Sequence, residues 1–359
     1  MADVALPAAA APADHWAAMA ARSRRRRQWT TIFLYGFLAV ASLPVIVPYL
    51  WLFTLAFSAR GGTDTAVLWR ALLVLGPALL AFAMLGHSID EPRRLRHALL
   101  VLLLVTVAAL AVVIGPQLHL ANWRFLWNPD FSDALKTGPT GVGSQFPNVW
   151  VAFGNSLALA LAVTAIVVTV STLAGYYLSR FAFPGRAGFL KSLLVLHAFP
   201  AMTLIIPIFF LMHWAGLLDS ILGVVLVVCT LELPFAIFIM KGFFDAVPWD
   251  IEMSAMTDGA SRRQAFLHVV LPQVKFGMLA IGIFAFLRGW EDYVFVRTLL
   301  IDKQNWVMSL YLFYVAEDVM GVDYGIVTAV GVLYVLPALV LYTFTQKYLT
   351  QMTVGGIKG

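Results

Sequence analysis

Charge is scarce in this chain: Asp, Glu, Lys and Arg together make up 12% of its 359 residues. A soluble domain carries about 25%, so a water-facing globule of this size is excluded. A hydrophobic content of 61% and a mean hydropathy of +0.85 point to a polytopic membrane protein. Cysteine is almost absent. The single one, Cys229, lies in an apolar run, which excludes an internal disulfide framework and a cysteine metal site. No GxxxxGK[ST] stretch occurs, so the chain has no P-loop of its own. The short alternating segments of a transmembrane β-barrel are missing too. Ser192, five residues before His197, is too little to support a membrane-embedded hydrolase, and His197 and His213 have no ligand spacing.

What fills the space is long apolar runs. A helix crossing the hydrocarbon core needs about 20 residues, and such runs recur over 31–57, 66–85, 98–118, 151–178, 192–215, 222–240, 276–296 and 324–345. They predict an all-α membrane bundle of about eight transmembrane helices. Pro200, Pro207, Pro234 and Pro337 fall inside these runs, where proline frees backbone carbonyls and can kink a helix. With the N-terminus cytoplasmic, Arg22, Arg24–Arg27, Arg93, Arg94, Arg96, Arg180, Arg186, Lys191, Lys241, Arg262, Arg263, Lys275, Lys347 and Lys358 fall inside, against Arg60, Arg70, Arg124, Lys136, Arg288, Arg297 and Lys303 in the outside segments and span interiors. That satisfies the positive-inside rule, places both termini in the cytoplasm, and makes the net charge of +5 topological rather than a sign of nucleic-acid binding.

The organisation expected is a disordered cytoplasmic tail over 1–28, a first transmembrane helix over 29–57 and a helix pair over 58–120. An extracytoplasmic loop over 121–148 leads to a helical core over 149–346, and 347–359 forms a cytoplasmic tail.

Within the core, 241–275 is a polar island, KGFFDAVPWDIEMSAMTDGASRRQAFLHVVLPQVK. Pro248 suits a first helical turn, and Asp250 and Glu252 suit the positive end of a helix. A helix over 248–257 puts Trp249, Met253 and Met256 on one side, with Ala255 and Ala260 permitting close approach. Gly259 breaks it, and a second helix over 261–270 is expected to end at Leu271-Pro272. Such a hairpin can dock into a cleft of a soluble partner or lie on the lipid surface; the residues alone leave both open.

Three acidic residues fall in or beside the apolar runs: Glu232, two residues before Pro234, and Glu291 and Asp292, directly after Trp290. Intramembrane charge is expensive and usually turned inward. Carboxylates beside Trp290 and Tyr293 suit polyol or sugar contacts, with hydroxyls donating and rings stacking. The structural alternative pairs Glu232 or Asp292 with Arg288, and a further class is a proton-coupled secondary transporter using Glu232, Glu291 and Asp292 as a relay.

IEMSAMTDGASRRQAFLHVVLP resembles the cytoplasmic loop of ABC importer permeases, and specifically the carbohydrate-uptake branch, the maltose-type permeases of the second-permease type. Glu252 falls on its first acidic position, Asp258, Gly259 and Ala260 on its DGA, Val269 on its Ile, and Leu271 and Pro272 on its LP. YYLSRFAFPGR, FPAMTLIIPIFFLMHWAGLLDS, LPFAIFIMKGFF and QKYLTQMTVGGIKG are similar to the same branch, and GWEDYVF places Trp290, Glu291 and Asp292 on a WNEF-like segment. Met253 and Ser254 depart from the family's Glu and Ala. The resemblance implies a six-helix core with 58–120 as an inserted helix pair, in a bacterial inner membrane. It implies that the chain is not an enzyme and binds no cofactor itself, ATP and Mg being held by an ATPase dimer. The other implied partners are a second homologous permease, an extracytoplasmic binding protein and a carbohydrate or polyol. Glu252, Met253, Ser254, Ala255, Asp258, Gly259, Ala260, Leu271 and Pro272 would form the ATPase-coupling loop.

Overall fold

The computed structural model describes residues 13–58, 66–88, 91–128, 147–317 and 323–355. Among these, regular structure is helical. The α-helices are α1 Ala13–Ala56, α2 Ala66–Ser88, α3 Pro92–Ile114, α4 Val149–Arg180, α5 Arg186–Ala198, α6 Ile205–Trp214, α7 Ile221–Asp245, α8 Trp249–Thr257, α9 Arg262–Ala265, α10 Leu271–Gln273, α11 Lys275–Glu291, α12 Val294–Leu299, α13 Met308–Ala316 and α14 Tyr324–Gly355. Among the described residues six helices are long and apolar enough to cross a membrane, and counting each of two bent helix pairs as one span gives up to eight, the number expected.

The differences from expectation have local causes. Residues 13–28 are helical rather than disordered: α1 starts at Ala13 and carries straight through the arginine run, since Ala and Arg are both good helix formers. Residues 1–12, most of the outside loop (129–146) and 356–359 lie outside the described residues. The run 192–215 is not one straight helix but a pair bent by 87°. The break is at Phe199 and Pro200, both extended, because the residue before a proline is pushed out of the helical region. The second island helix does not end at Leu271-Pro272 either; it reaches Gln273 through a π-helical turn over Phe266–Val270. The chain then bends by 71° into α11.

The chain divides into two compact units, one holding α1–α3 and the other running from Leu120 onward. In the first, Val67, Ala71 and Ile114 form a small buried cluster. In the second, α4, α7 and α11 supply a continuous core, including Leu159, Val163, Val167, Val224, Val228, Met240, Phe244, Ile281 and Ala285. In lipid no hydrophobic force drives helices together, so close packing of small residues has to do it. A Cβ on Gly175 would stand 2.8 Å from Met240 Cβ, and one on Gly289 2.9 Å from Ala160 Cα, so these glycines set the approach of α7 and α11 to α4. Asn148 caps α4, accepting from the Trp150 N–H at 2.9 Å.

After α11 the chain turns inward again. Phe295, Val296 and Leu299 of α12 and Met308, Leu310 and Tyr311 of α13 are buried, although the expected span stopped at Val296 and left the rest of this region outside. Ser156 of α4 accepts from the Met308 N–H at 2.6 Å, and Asn155 donates to the carbonyls of Gln304 and Trp306. Asp219 tethers the same segment, accepting from the N–H groups of Ile301 and Asp302, each at 2.9 Å.

Candidate coupling site and membrane carboxylates

The polar island folds as a helical hairpin. Pro248 precedes the first turn of α8, whose acidic Asp250 and Glu252 sit at its positive end. The helix closes at Gly259, at φ +94°: the Gly259 N–H donates to Met256 O and the Ala260 N–H to Ala255 O. A left-handed residue is needed here, and glycine takes that conformation without a Cβ penalty. Ser261 then opens α9 with a capping box, reciprocally bonded to Gln264.

The hairpin is fixed to the end of α4 by buried polar contacts. Glu252 is 1% exposed. It accepts from Tyr176 Oη at 2.6 Å and from Arg180 Nε at 3.0 Å. Arg180 also donates to the carbonyl of Val247 at 2.9 Å and lies over the Trp249 ring, 5.3 Å from its centre. Tyr176 packs on Phe266, centres 4.4 Å apart, and edge-on to Phe244. Arg262 lies over Phe181. Nearby, Ser179 donates to Asp245 at 2.7 Å, and Lys241 is paired with the same carboxylate.

Much of the rest of the hairpin surface is exposed. Trp249, Ile251, Met253 and Leu267 are exposed apolar side chains, beside exposed Ser254, Asp258 and Gly259; Ala255, Ala260 and Leu271 are half-buried and Pro272 is exposed. Glu252 therefore differs from the rest of the expected loop set. Its carboxylate is consumed inside the chain, while Met253 occupies the outward face.

The membrane carboxylates fall into two kinds. Arg288 of α11 bridges Glu232 of α7, Nε to Oε1 at 3.0 Å, and Asp292, at 3.4 Å. Asp292 also accepts from the N–H groups of Phe295 at 3.0 Å and Val296 at 3.4 Å, capping α12. The span expected over 276–296 in fact ends at Glu291, because Asp292 turns the chain into that cap. Glu291 is exposed. Trp290 does not offer a ring to a sugar. It is 1% exposed, donates to the carbonyl of Tyr334 at 3.0 Å, and is packed between Phe286, Tyr334 and Phe153. Tyr293 is half-buried against Phe313. Sequence reasoning named Arg288 as a partner for either acid but did not see that it serves both. It missed Tyr176 and Arg180 as partners of the island; the only signal was their position at the end of a span facing the same side.

The family described as binding-protein-dependent transport system inner membrane component matches residues 168–353, which contain the hairpin, its α4 anchor and all three carboxylates. The chain is 33% identical over 201 residues to the diacetylchitobiose uptake system permease protein NgcG of Streptomyces coelicolor, covering 56% of this chain and 67% of that one. It is 32% identical over 209 residues to the maltodextrin transport system permease protein MdxG of Bacillus subtilis, covering 58% and 75%. A chain of a bacterial ABC transporter involved in the import of the acidic polysaccharide alginate has a similar fold, with TM-score 0.61 at 18% identity over 91% of this chain and 98% of that one. The chain belongs to the inner-membrane component family of binding-protein-dependent transport systems.

Proposed function

We propose that this chain is a permease subunit of an ATP-driven ABC importer for a carbohydrate or polyol, and that it forms half of a translocation pathway with a second, homologous permease. An ATPase dimer binds the hairpin around Gly259 and holds the ATP and Mg; an extracytoplasmic binding protein delivers the solute; both termini lie in the cytoplasm. The observation that carries the reading is the hairpin itself. It exposes the apolar side chains of Trp249, Ile251, Met253 and Leu267 and is anchored by Glu252, Tyr176 and Arg180. Exposed apolar side chains on a rigidly mounted hairpin suit a groove in a partner, and the mount can pass a mechanical stroke into the membrane helices. The diacetylchitobiose and maltodextrin in the names of NgcG and MdxG support a carbohydrate.

The proton-relay reading is less well supported. Glu232 and Asp292 are both tied to one guanidinium, and Asp292 also accepts from the N–H groups of Phe295 and Val296, so neither stands free in a line of proton carriers.

The test is ATP hydrolysis in lipid by the chain assembled with the ATPase, permease and binding protein encoded beside it. Gly259→Asp should abolish the stimulation of hydrolysis by loaded binding protein, because a side chain at φ +94° distorts the hairpin tip. Transport by the chain alone, driven by a proton gradient and indifferent to that substitution, would overturn the proposal.

A further inference from the structure

We infer that Arg180 is a positioning residue for energy coupling: with Glu252 and Tyr176 it forms a rigid joint that makes the hairpin and α4 move as one body. The inference rests on the ABC-importer reading above and specifies where the stroke enters the membrane. Four observations converge on it. The Arg180 and Glu252 side chains are 6% and 1% exposed, so this ion pair is shielded from water, unlike the exposed Arg94–Glu91 pair. Both carboxylate oxygens of Glu252 are engaged, one by Tyr176 and one by Arg180, which fixes the rotation of α8 about its axis. Arg180 makes a second bond, to the carbonyl of Val247, immediately before the hairpin. Its guanidinium also faces the Trp249 ring, so one side chain holds the connection from α7, the first residue of α8 and the middle of α8.

The position of Arg180 in the chain gives the joint its reach. It is the last residue of α4, and α4 packs along both α7 and α11 through Gly175 and Gly289. Interiors packed this closely shift as units rather than deforming gradually. A displacement of the hairpin is therefore delivered to α4 first and to the core through it. A second consequence is that the carboxylate of Glu252 is not offered to the partner, and Met253 takes the outward place.

The test uses the full complex in lipid nanodiscs with spin labels at Leu173→Cys on α4 and Thr257→Cys on α8. Both positions are exposed, and the native Cys229 is buried. The probe is MgATP, with and without vanadate. The unmodified joint should give one narrow distance that is the same in the resting and vanadate-trapped states. Arg180→Gln should at least double the width of that distribution, because it leaves the Glu252 charge buried without its cation, while MgATP hydrolysis continues. Arg180→Lys, which keeps the charge but loses the fork geometry, should fall between. Glu252→Gln gives the same reading with a gentler change, should Arg180→Gln fail to assemble. A narrow, unchanged distance in either assembled variant overturns the inference. A complex with the intact joint that neither assembles nor hydrolyses MgATP overturns the importer reading instead.

Discussion

The most apolar stretches of α3 and α7 would be hard to tell apart by composition, and that of α3 is the more apolar of the two. Yet half of the most apolar stretch of α7 is buried within the chain, against 6% for α3. Leu100, Val101, Leu103, Leu104 and Val105 of α3 are all exposed, whereas Val224, Val225, Val227 and Val228 of α7 are all buried. Hydropathy reports that a segment prefers oil to water; it does not report whether the oil is lipid or protein. What separates the two regions is the small residues. In the second unit Gly175, Gly277 and Gly289 stand where a neighbouring helix touches, and in α2 a Cβ on Gly76 or Gly86 would meet nothing within 4 Å.

The largest effect that would break this contrast is at Gly289. Its added Cβ would sit 2.9 Å from Ala160 Cα and 3.5 Å from Ala160 N, and backbone cannot step aside as a flexible side chain can. Gly289→Ala should destabilise the second unit by about 3 kcal/mol, at the upper part of the range for overpacking. The measure is loss of helical signal on titrating a denaturing detergent into the purified chain. An unchanged midpoint would mean that α11 and α4 are not held together by this close approach.

The same reasoning explains what the sequence could and could not disclose. The spans were legible because a bilayer demands about 20 apolar residues in a row, and that demand is written in consecutive positions. The bend at Phe199-Pro200 was half legible: the proline marked a possible kink, but a run of apolar residues over 192–215 looks the same straight or broken. Gly259 and the capping residue Ser261 were legible because turn chemistry is local. The inward turn of Glu252 was not. Helical spacing turns it only about 100° from Met253, and which of the two faces α4 depends on Tyr176 and Arg180, over 70 positions earlier in the chain. Trp290 misled for a related reason. A tryptophan beside two acids suits a sugar as well as it suits a packed core, and only the rings of Phe153 and Tyr334 decide. The segment from Arg297 through α13 fell outside the expected spans, although its apolar side chains Leu299, Met308, Leu310 and Tyr311 are buried.

A smaller effect would sharpen the comparison through charge rather than packing. Arg288 joins α7 to the α11–α12 corner by pairing with Glu232 and Asp292, and the described residues of the first unit have no comparable tie between helices. Arg288→Gln removes the shared cation while Asp292, its side chain 2% exposed, stays buried. Removing one partner of a fully buried pair costs roughly 3–5 kcal/mol. The 40% exposure of Arg288 reduces that to about 2 kcal/mol, because water screens part of the interaction. In the same detergent titration Arg288→Lys should recover only part of the loss, since an ammonium lacks the fork that reaches two carboxylates. Full recovery by lysine would show that a point charge suffices and that the bridge to Asp292 contributes little.

The smallest effect is the one with the opposite sign. Gly76→Ala adds a methyl to the interior of α2 where nothing stands within 4 Å, so overpacking has no target. Alanine is the better helix former, by as much as about 1 kcal/mol in water, and that figure is an upper limit where lipid already enforces the helix. The expected outcome in the purified chain is a detergent midpoint equal to or slightly above that of the unmodified protein, against the marked loss at Gly289. The pair of substitutions makes the comparison decisive because the chemical change is identical and only the surroundings differ. Should Gly76→Ala destabilise the chain as Gly289→Ala does, a helix contacts α2 at that glycine, and exposed apolar surface in the first unit would then be a packing face rather than a lipid face.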